Sequence, residues 1–226
     1  MLRRTSEARI ESVSDSSRGL RERWADADSG ARYATQRFTS SEKRERDPRL
    51  VAALLRQHLP RRADALLLDA PCGAGRLRAA LAAYGRTVGL DISPSMLAAG
   101  RELASRDLVR GDVERLPFRD RSFDAVISCR LLHHLRERSS LERVVAELVR
   151  VSRDLVVASF WDSASLPEWR RAWFPKQRVP RRIARSKAEL AEILERAGAE
   201  VLGYRHTLRF FSRQAFVVAR RRAPAP

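Results

Sequence analysis

Residues 66–77 read LLLDAPCGAGRL, an apolar run followed by an acid and a loop of small residues. An apolar run that breaks in this way predicts a buried strand, a tight turn and the start of a helix. Glycine is used where the backbone adopts unusual dihedral angles or where another group approaches closely, and Gly73 and Gly75 stand in this loop. Three interpretations are open: a nucleotide-cofactor loop, a cysteine-nucleophile motif, and an ordinary strand–helix turn.

Strand-like and helix-like segments alternate around this loop. Strands are predicted at 65–70, 87–92, 108–113, 122–130, 153–161, 200–207 and 214–221. One helix is expected to begin with Asp47 as its N-cap and Pro48 in its first turn, and another with Ser93 as its N-cap. Near-continuous apolar strands that alternate with helices predict an α/β fold, a doubly wound and mostly parallel sheet with helices on both faces.

The composition is that of a globular protein, with 44% hydrophobic residues, but the net charge is +17. The arginines alternate with acids along the whole chain, which favours a solvated basic surface over a dedicated nucleic-acid face. Two cysteines without CxxC spacing predict neither a disulfide framework nor a metal site. No apolar run has the length of a membrane helix, and no signal-peptide core is visible, so we expect a soluble, cytoplasmic protein without stable membrane insertion.

Acidic residues follow three successive predicted strands. Asp69 ends the first, Asp91 the second, and Asp112 follows the third. In parallel sheets, ligands bind beyond the carboxyl ends of the strands. A nucleoside cofactor makes matching demands, since a carboxylate accepts from ribose hydroxyls and glycine amides allow a close approach. The adenine slot is predicted to involve Asp112, Ile92, Met96 and Val113.

Taken together, the segments LLLDAPCGAG, VGLDISPSML and GDVERLPFRDRSFDAVISCRLLHHL resemble the motif set of class I S-adenosylmethionine-dependent methyltransferases. The resemblance covers about residues 65–160 and is to the methyltransferase type 11 group, which acts on small molecules and quinones. It implies a Rossmann-like, seven-stranded sheet, S-adenosylmethionine as the cofactor, and in-line transfer of a methyl group to a small-molecule or lipid acceptor.

The resemblance also assigns roles to residues. The loop after Asp69 would hold the methionine part of the cofactor, Asp91 the ribose, and Cys129 and Arg130 would border the sulfonium. Pro71 departs from the family, which usually has a small polar residue or glycine there, and the turn RVSRDLVV lacks the usual Pro-Gly-Gly. The predicted cofactor-binding residues are Asp69, Ala70, Cys72, Gly73, Gly75, Asp91, Ile92, Met96, Asp112, Val113 and Cys129.

The chain is predicted to have a mobile polar tail at 1–30 and a single methyltransferase domain at 31–222. Within the domain we distinguish a cofactor half (60–160), a lid insert (161–185), and a C-terminal helix and strand pair (186–221). The insert contains Trp169, Trp173 and Phe174 among basic residues. These aromatics either grip an anionic, lipid or RNA acceptor or belong to an amphipathic lid helix that covers the core. In the leader, Trp24, Tyr33 and Phe38 are expected to close the pocket from the other side.

Several functional alternatives are open at this stage. DAPC resembles the nucleophile motif of RNA cytosine-5 methyltransferases, which would make Cys72 a nucleophile, but no glycine loop lies upstream of it. A dinucleotide dehydrogenase would need a third glycine where Arg78 stands. An RNA methyltransferase that uses the basic surface and a cofactor-binding pseudoenzyme are the remaining alternatives. If the acceptor is a hydroxyl, His133 is the predicted general base, ahead of His134.

Overall fold

The computed structural model describes residues 41–60, 62, 64–102, 107–173, 182–208 and 212–223. The predicted tail at 1–30, the three leader aromatics and Phe174 lie outside these residues. Among the helices described, none is long and apolar enough to cross a membrane.

The described strands form one seven-stranded sheet in the order β3-β2-β1-β4-β5-β7-β6. All neighbouring strands are parallel except β7, which runs antiparallel to both β5 and β6. The mostly parallel, Rossmann-like doubly wound sheet predicted from the sequence is thereby confirmed. The strands are β1 (Leu66–Asp69), β2 (Arg86–Asp91), β3 (Leu108–Arg110), β4 (Phe123–Ser128), β5 (Ser152–Trp161), β6 (Ala199–His206) and β7 (Gln214–Arg221).

Helices cover both faces of this sheet because successive strand residues point to opposite sides. On one face, Leu68 and Val126 pack in a core with α4 and α6. On the other, Leu67 and Ile127 pack with α1 and α2. The described helices are α1 (Ser41–His58), α2 (Arg78–Leu81), α3 (Pro94–Glu102), α4 (Arg138–Val151), α5 (Leu166–Trp173) and α6 (Lys187–Arg196), with a 3₁₀ turn at Leu132–His134.

The predicted start of α1 is wrong, whereas that of α3 is confirmed. Met96 N–H donates to Ser93 Oγ at 3.4 Å, so Ser93 caps α3 as expected. In contrast, α1 begins at Ser41 and contains both Asp47 and Pro48. The upstream turns, rich in Glu, Lys and Arg, are good helix formers, and the Asp47 carboxylate is bound by distant side chains and does not cap the helix.

Candidate functional site

The carboxyl ends of β1, β2, β3 and β4 meet at one edge of the sheet. Asp69 lies opposite Gly89 of β2 and Ile127 of β4, and Asp91 lies opposite Arg110 of β3. Hydrogen bonds continue this pairing into the loops, from Cys72 N to Leu90 O at 2.8 Å and from Gly111 N to Asp91 O at 3.1 Å. The residues predicted after successive strands are therefore neighbours in space.

The loop after β1 is shaped by two glycines in the left-handed region, Gly73 at φ 55° and Gly75 at φ 79°. Gly75 N–H donates to Cys72 O at 3.0 Å, which closes the turn. A Cβ built on either glycine would meet nothing within 4 Å. The space beside the loop is therefore open, and a side chain at either position would be disfavoured by backbone strain and not by a clash.

The carboxylate of Asp91 is the acceptor that connects β2 to this loop. Its Oδ2 accepts from Gly73 N–H at 2.7 Å and its Oδ1 from Ser93 N–H at 2.9 Å. Burial raises the pKa of Asp91, while the backbone hydrogen bonds from Ser93, Gly73 and Ile92 oppose this rise. Each carboxylate oxygen has more than one acceptor site, so ribose hydroxyls fit beside the amides already bound.

Asp69 is a buried carboxyl group that faces the same edge. Burial raises its pKa to about 8, Arg76 lowers it, and the charge of Asp91 raises it. Its Oδ1 is buried and has no hydrogen-bond partner among the described residues. A donor or a positive charge on a ligand fits here, because it would satisfy this oxygen and favour the ionised form.

Cys72 packs against the sheet and does not face the open side of the loop. A Cβ on Gly89 of β2 would lie 3.0 Å from its Sγ. Burial raises the pKa of the Cys72 thiol, and the charges of Asp69 and Asp91 raise it further. Because the thiolate is the reactive form, this environment argues against Cys72 as a nucleophile.

The structure places the remaining predicted residues around the same loops. Ala70, Met96 and Val113 are buried, and Ile92 and Asp112 are half-buried. Asp112 Oδ1 accepts from Glu114 N–H at 2.9 Å, so this carboxylate orders its own turn. No group of three or more potential ligands among the described residues forms a metal site.

The sequence analysis missed a network centred on Asp47, which is completely buried. Its Oδ2 accepts from Arg76 Nη2 at 2.8 Å and from Arg130 Nε at 2.7 Å, and its Oδ1 from Gln214 Nε2 at 3.2 Å. Cys129 joins the network through Arg76 Nη2, which donates to its Sγ at 3.4 Å. The network ties α1 to the glycine loop, to the end of β4 and to the start of β7.

Arg130 occupies a strained position, since it is a non-glycine residue at φ 65°. Its neighbour Cys129 is buried, and burial followed by the charge of Asp47 raises the pKa of the thiol to about 12. Cys129 is therefore a neutral thiol at the end of β4. No local pattern signals the Asp47 network, because its partners lie 29, 83 and 167 residues away along the chain.

His133 lies beside the lid insert. Its side chain is buried, and its ring stacks on Trp161 with centroids 4.8 Å apart and planes at 5°. The guanidinium groups of Arg182 and Arg213 lie 5.4 and 5.2 Å from the centroid of the same indole. These residues form a second cluster at the carboxyl end of β5, apart from the carboxylates of β1 and β2 in the sheet order.

The segment that the sequence predicts as a lid insert contains α5, and its two tryptophans face outward. Trp169 is 56% exposed and Trp173 is 66% exposed. The hypothesis that these two side chains cover the core is wrong, because α5 instead turns Glu168 inward, where its Oε1 lies 2.8 Å from Arg213 Nε. Phe174 and the basic residues Lys176, Arg178 and Arg181 lie outside the described residues.

Comparisons with known proteins match this architecture. The model of a methyltransferase domain family matches residues 68–156. The chain is 38% identical over 133 residues to the malonyl-[acyl-carrier protein] O-methyltransferase of Enterobacter lignolyticus, covering 55% of this chain and 50% of that protein. It is 40% identical over 108 residues to the demethylmenaquinone methyltransferase of Beutenbergia cavernae, covering 46% of this chain and 42% of that protein.

Among solved structures, the fold is similar to magnesium protoporphyrin IX methyltransferase from Synechocystis with bound SAH, at a TM-score of 0.72 and 19% identity. That alignment covers 91% of this chain and 100% of the other. The chain spans about half the length of the two curated relatives. The matched residues contain the glycine loop, Asp91 and Asp112. This part of the chain is similar to methyltransferase domains, and the described fold is similar to that of a solved methyltransferase.

Proposed function

We propose that this chain transfers a methyl group from S-adenosylmethionine to a small-molecule acceptor. The observation that carries the proposal is the convergence of Asp69, the glycine loop and Asp91 at one edge of the sheet. The open space at Gly73 and Gly75 and the unpartnered Asp69 Oδ1 fit a ligand with a polar, charged tail. The buried carboxylate of Asp91 fits ribose hydroxyls.

Each predicted residue has a role in this proposal. The loop with Ala70, Cys72, Gly73 and Gly75 would hold the methionine part, with Asp69 beside its amino group. Cys129, at the end of β4, would border the sulfur. Asp91 would bind the ribose, with Ile92, Met96, Asp112 and Val113 around the adenine.

The cofactor supplies a methyl group on a positively charged sulfur, so the protein has to position the acceptor in line and exclude water. Rigid loops suit this task. Backbone hydrogen bonds fix the loop after β1 to Leu90 and to Asp91. The cluster of Trp161, His133 and the two arginines lies at the carboxyl end of β5, and we propose that the acceptor enters there.

If the acceptor is a hydroxyl, we propose His133 as the general base. Its ring is fixed against Trp161, which would hold one nitrogen toward an acceptor. The variant His133→Gln is expected to lower kcat by about 100-fold, with a smaller change in KM. His134→Gln is the matched control, since it removes the neighbouring imidazole and is expected to leave kcat nearly unchanged.

The names of the two relatives support a small acceptor group, in one case a demethylmenaquinone and in the other a malonyl group that a carrier protein holds. We propose an amphiphilic or lipid acceptor of this kind. An RNA acceptor would instead give binding to generic RNA that falls steeply as salt rises.

Isothermal titration calorimetry tests the cofactor assignment directly. S-adenosylhomocysteine is expected to bind with one site per chain, whereas NAD at the same concentration gives no heat above dilution. Binding of NAD in preference to S-adenosylhomocysteine would refute the proposal. Transfer of label from methyl-labelled S-adenosylmethionine to a small-molecule fraction then distinguishes an active enzyme from a chain that only binds the cofactor.

A further inference from the structure

The large apolar side chains that are exposed among the described residues all lie in two segments. Leu166, Trp169 and Trp173 belong to α5, and Leu208 follows β6. Their exposed fractions are 40%, 56%, 66% and 44%. The 2.8 Å ion pair between Arg213 and Glu168 joins α5 to the loop that contains Leu208. We call these four side chains the apolar rim.

The part of the rim on α5 is one face of a helix. At 3.6 residues per turn, Leu166, Trp169, Arg170 and Trp173 fall within an arc of about 100°. The two indole rings contact each other, with centroids 5.5 Å apart. Glu168 lies toward the protein with Arg213. The exposed stripe therefore combines two tryptophans and a leucine with Arg170, which is itself exposed.

The charge around this stripe has one predominant sign. Among the described residues between 161 and 186, four are basic and two are acidic, within a chain of net charge +17. A partner that covers the stripe must therefore accept indole rings and guanidinium groups side by side. A dry protein interface would bury the guanidinium of Arg170, for which the described residues supply no ion-pair partner. A hydrated, anionic surface would leave this group solvated and would supply negative charge.

We propose that the apolar rim docks the chain on an anionic phospholipid surface. Tryptophan prefers the level of the lipid head groups, where the ring is apolar on one side and hydrated on the other. Short amphipathic helices with Trp and Leu on one face and arginines at its border bind such surfaces in the plane of the membrane. Anionic head groups also attract nearby arginines through the surface potential.

The position of the rim gives this docking a consequence for the site. α5 follows the carboxyl end of β5, and β6 is parallel to β5, so Leu208 lies at the same edge of the sheet as Asp69 and Asp91. The docked chain would turn its acceptor side toward the bilayer. This last step rests on the proposed function, whereas the docking itself does not.

The experiment is co-sedimentation of the full chain with vesicles. Phosphatidylcholine vesicles that contain phosphatidylglycerol are expected to bind the chain, and vesicles of phosphatidylcholine alone are expected to bind it far more weakly. The double variant Trp169→Ala and Trp173→Ala is expected to lower the partition coefficient by about 10-fold or more. Because both side chains are exposed, thermal unfolding and binding of S-adenosylhomocysteine should stay unchanged, which separates lost docking from lost folding and from failure of the proposed function.

A charge-matched pair of variants separates the rim from the net charge. Arg170→Ala and Arg86→Ala remove the same charge, but Arg86 begins β2 at the opposite edge of the sheet. The proposal requires weaker vesicle binding for Arg170→Ala only. Equal effects of the two variants, binding that survives loss of both tryptophans, or no binding to anionic vesicles would each overturn it. If the parent chain is a dimer in solution and the double tryptophan variant is a monomer, the rim binds a second copy of this chain, and the proposal is overturned.

Discussion

The end of the sheet around Asp69, Gly73 and Asp91, where we propose that the cofactor binds, is here called the cofactor edge. It lies at the same end of the sheet as the apolar rim, but the two are built in opposite ways. At the cofactor edge, the Asp91 carboxylate is buried and held by backbone amides of Gly73 and Ser93. At the rim, indole and guanidinium groups are exposed, and α5 is held by the ion pair of Glu168 with Arg213. Backbone groups that bind a ligand keep their positions when neighbouring side chains are substituted. A surface made of long side chains changes its chemistry with each substitution. The first arrangement suits one shared cofactor, and the second suits an acceptor or surface particular to this chain.

The largest effect is expected when the negative charge of Asp91 is removed. Asp91→Asn leaves at least one of the amides of Gly73 and Ser93 poorly matched and removes the charged acceptor for a ribose. We expect the affinity for S-adenosylhomocysteine to fall by about 100-fold, as measured by calorimetry. Asp107→Asn is the control, since the carboxylate of Asp107 pairs with Arg86 at an exposed site. Equal losses in both variants would contradict a specific role for Asp91.

The Asp47 network tests whether buried charge contacts hold α1 against the glycine loop and the sheet. Asp47→Asn weakens the contacts with Arg76, Arg130 and Gln214, and we expect the free energy of unfolding to fall by about 2 kcal/mol. The value is moderated by partial exposure of the two arginines, 19% and 26%. Asp154→Asn removes an exposed pair with Arg220 and should cost about 0.5 kcal/mol or less in the same urea titration. A cost for Asp47→Asn as small as this would show that α1 is not held by the network.

The Asp69 carboxyl group predicts a pH dependence of stability. Its pKa is about 8 in the folded chain and near 3.8 when unfolded, so the folded chain holds an extra proton between these values. Stability should therefore fall as pH rises from about 4 to about 8, by at most about 1.4 kcal/mol per pH unit, and level off above. Urea titrations across this range should show the slope in the parent chain and its reduction in Asp69→Asn. A slope of the same size in both would contradict the assignment.

Two glycines of equal backbone strain give the smallest expected effect and the cleanest control. Gly75 at φ 79° and Gly198 at φ 86° would each present a Cβ to open space. Alanine at either position should lower the free energy of unfolding by about 1 kcal/mol. Only Gly75→Ala should also weaken binding of S-adenosylhomocysteine, by about 10-fold, the equivalent of one hydrogen bond. If Gly198→Ala weakened this binding equally, the loop would have no special relation to the ligand.

Local chemistry explains which features the sequence predicts. The strands and their number follow from periodicity. The neighbours Asp69, Gly73 and Asp91 follow from motifs because β1 and β2 are consecutive strands that pair with each other. The Gly73–Asp91 hydrogen bond spans only 18 residues. Asp47 looked like an N-cap because its nearest neighbours in sequence suit one, while its actual partners reach up to 167 residues away.

The sequence does not predict the exposure of Trp169 and Trp173, just as it does not predict the partners of Asp47. Two tryptophans at helical spacing are compatible with either face of α5. The orientation depends on Glu168 and Arg213, which are 45 residues apart in sequence and meet only when the β6–β7 loop reaches α5. The apolar rim is therefore less predictable than the loop after β1 for a physical reason, namely that side chains from separate segments build it.

The placement of β7 between β5 and β6 affects the order in which the polypeptide can fold during its synthesis. β6 leaves the ribosome before β7, yet its ladder is with β7. Until β7 emerges, β5 presents an open edge of apolar residues and Gln214 is absent from the Asp47 carboxylate. The nascent chain thus passes through a stage with an unpaired strand, which is the kind of surface that chaperones protect.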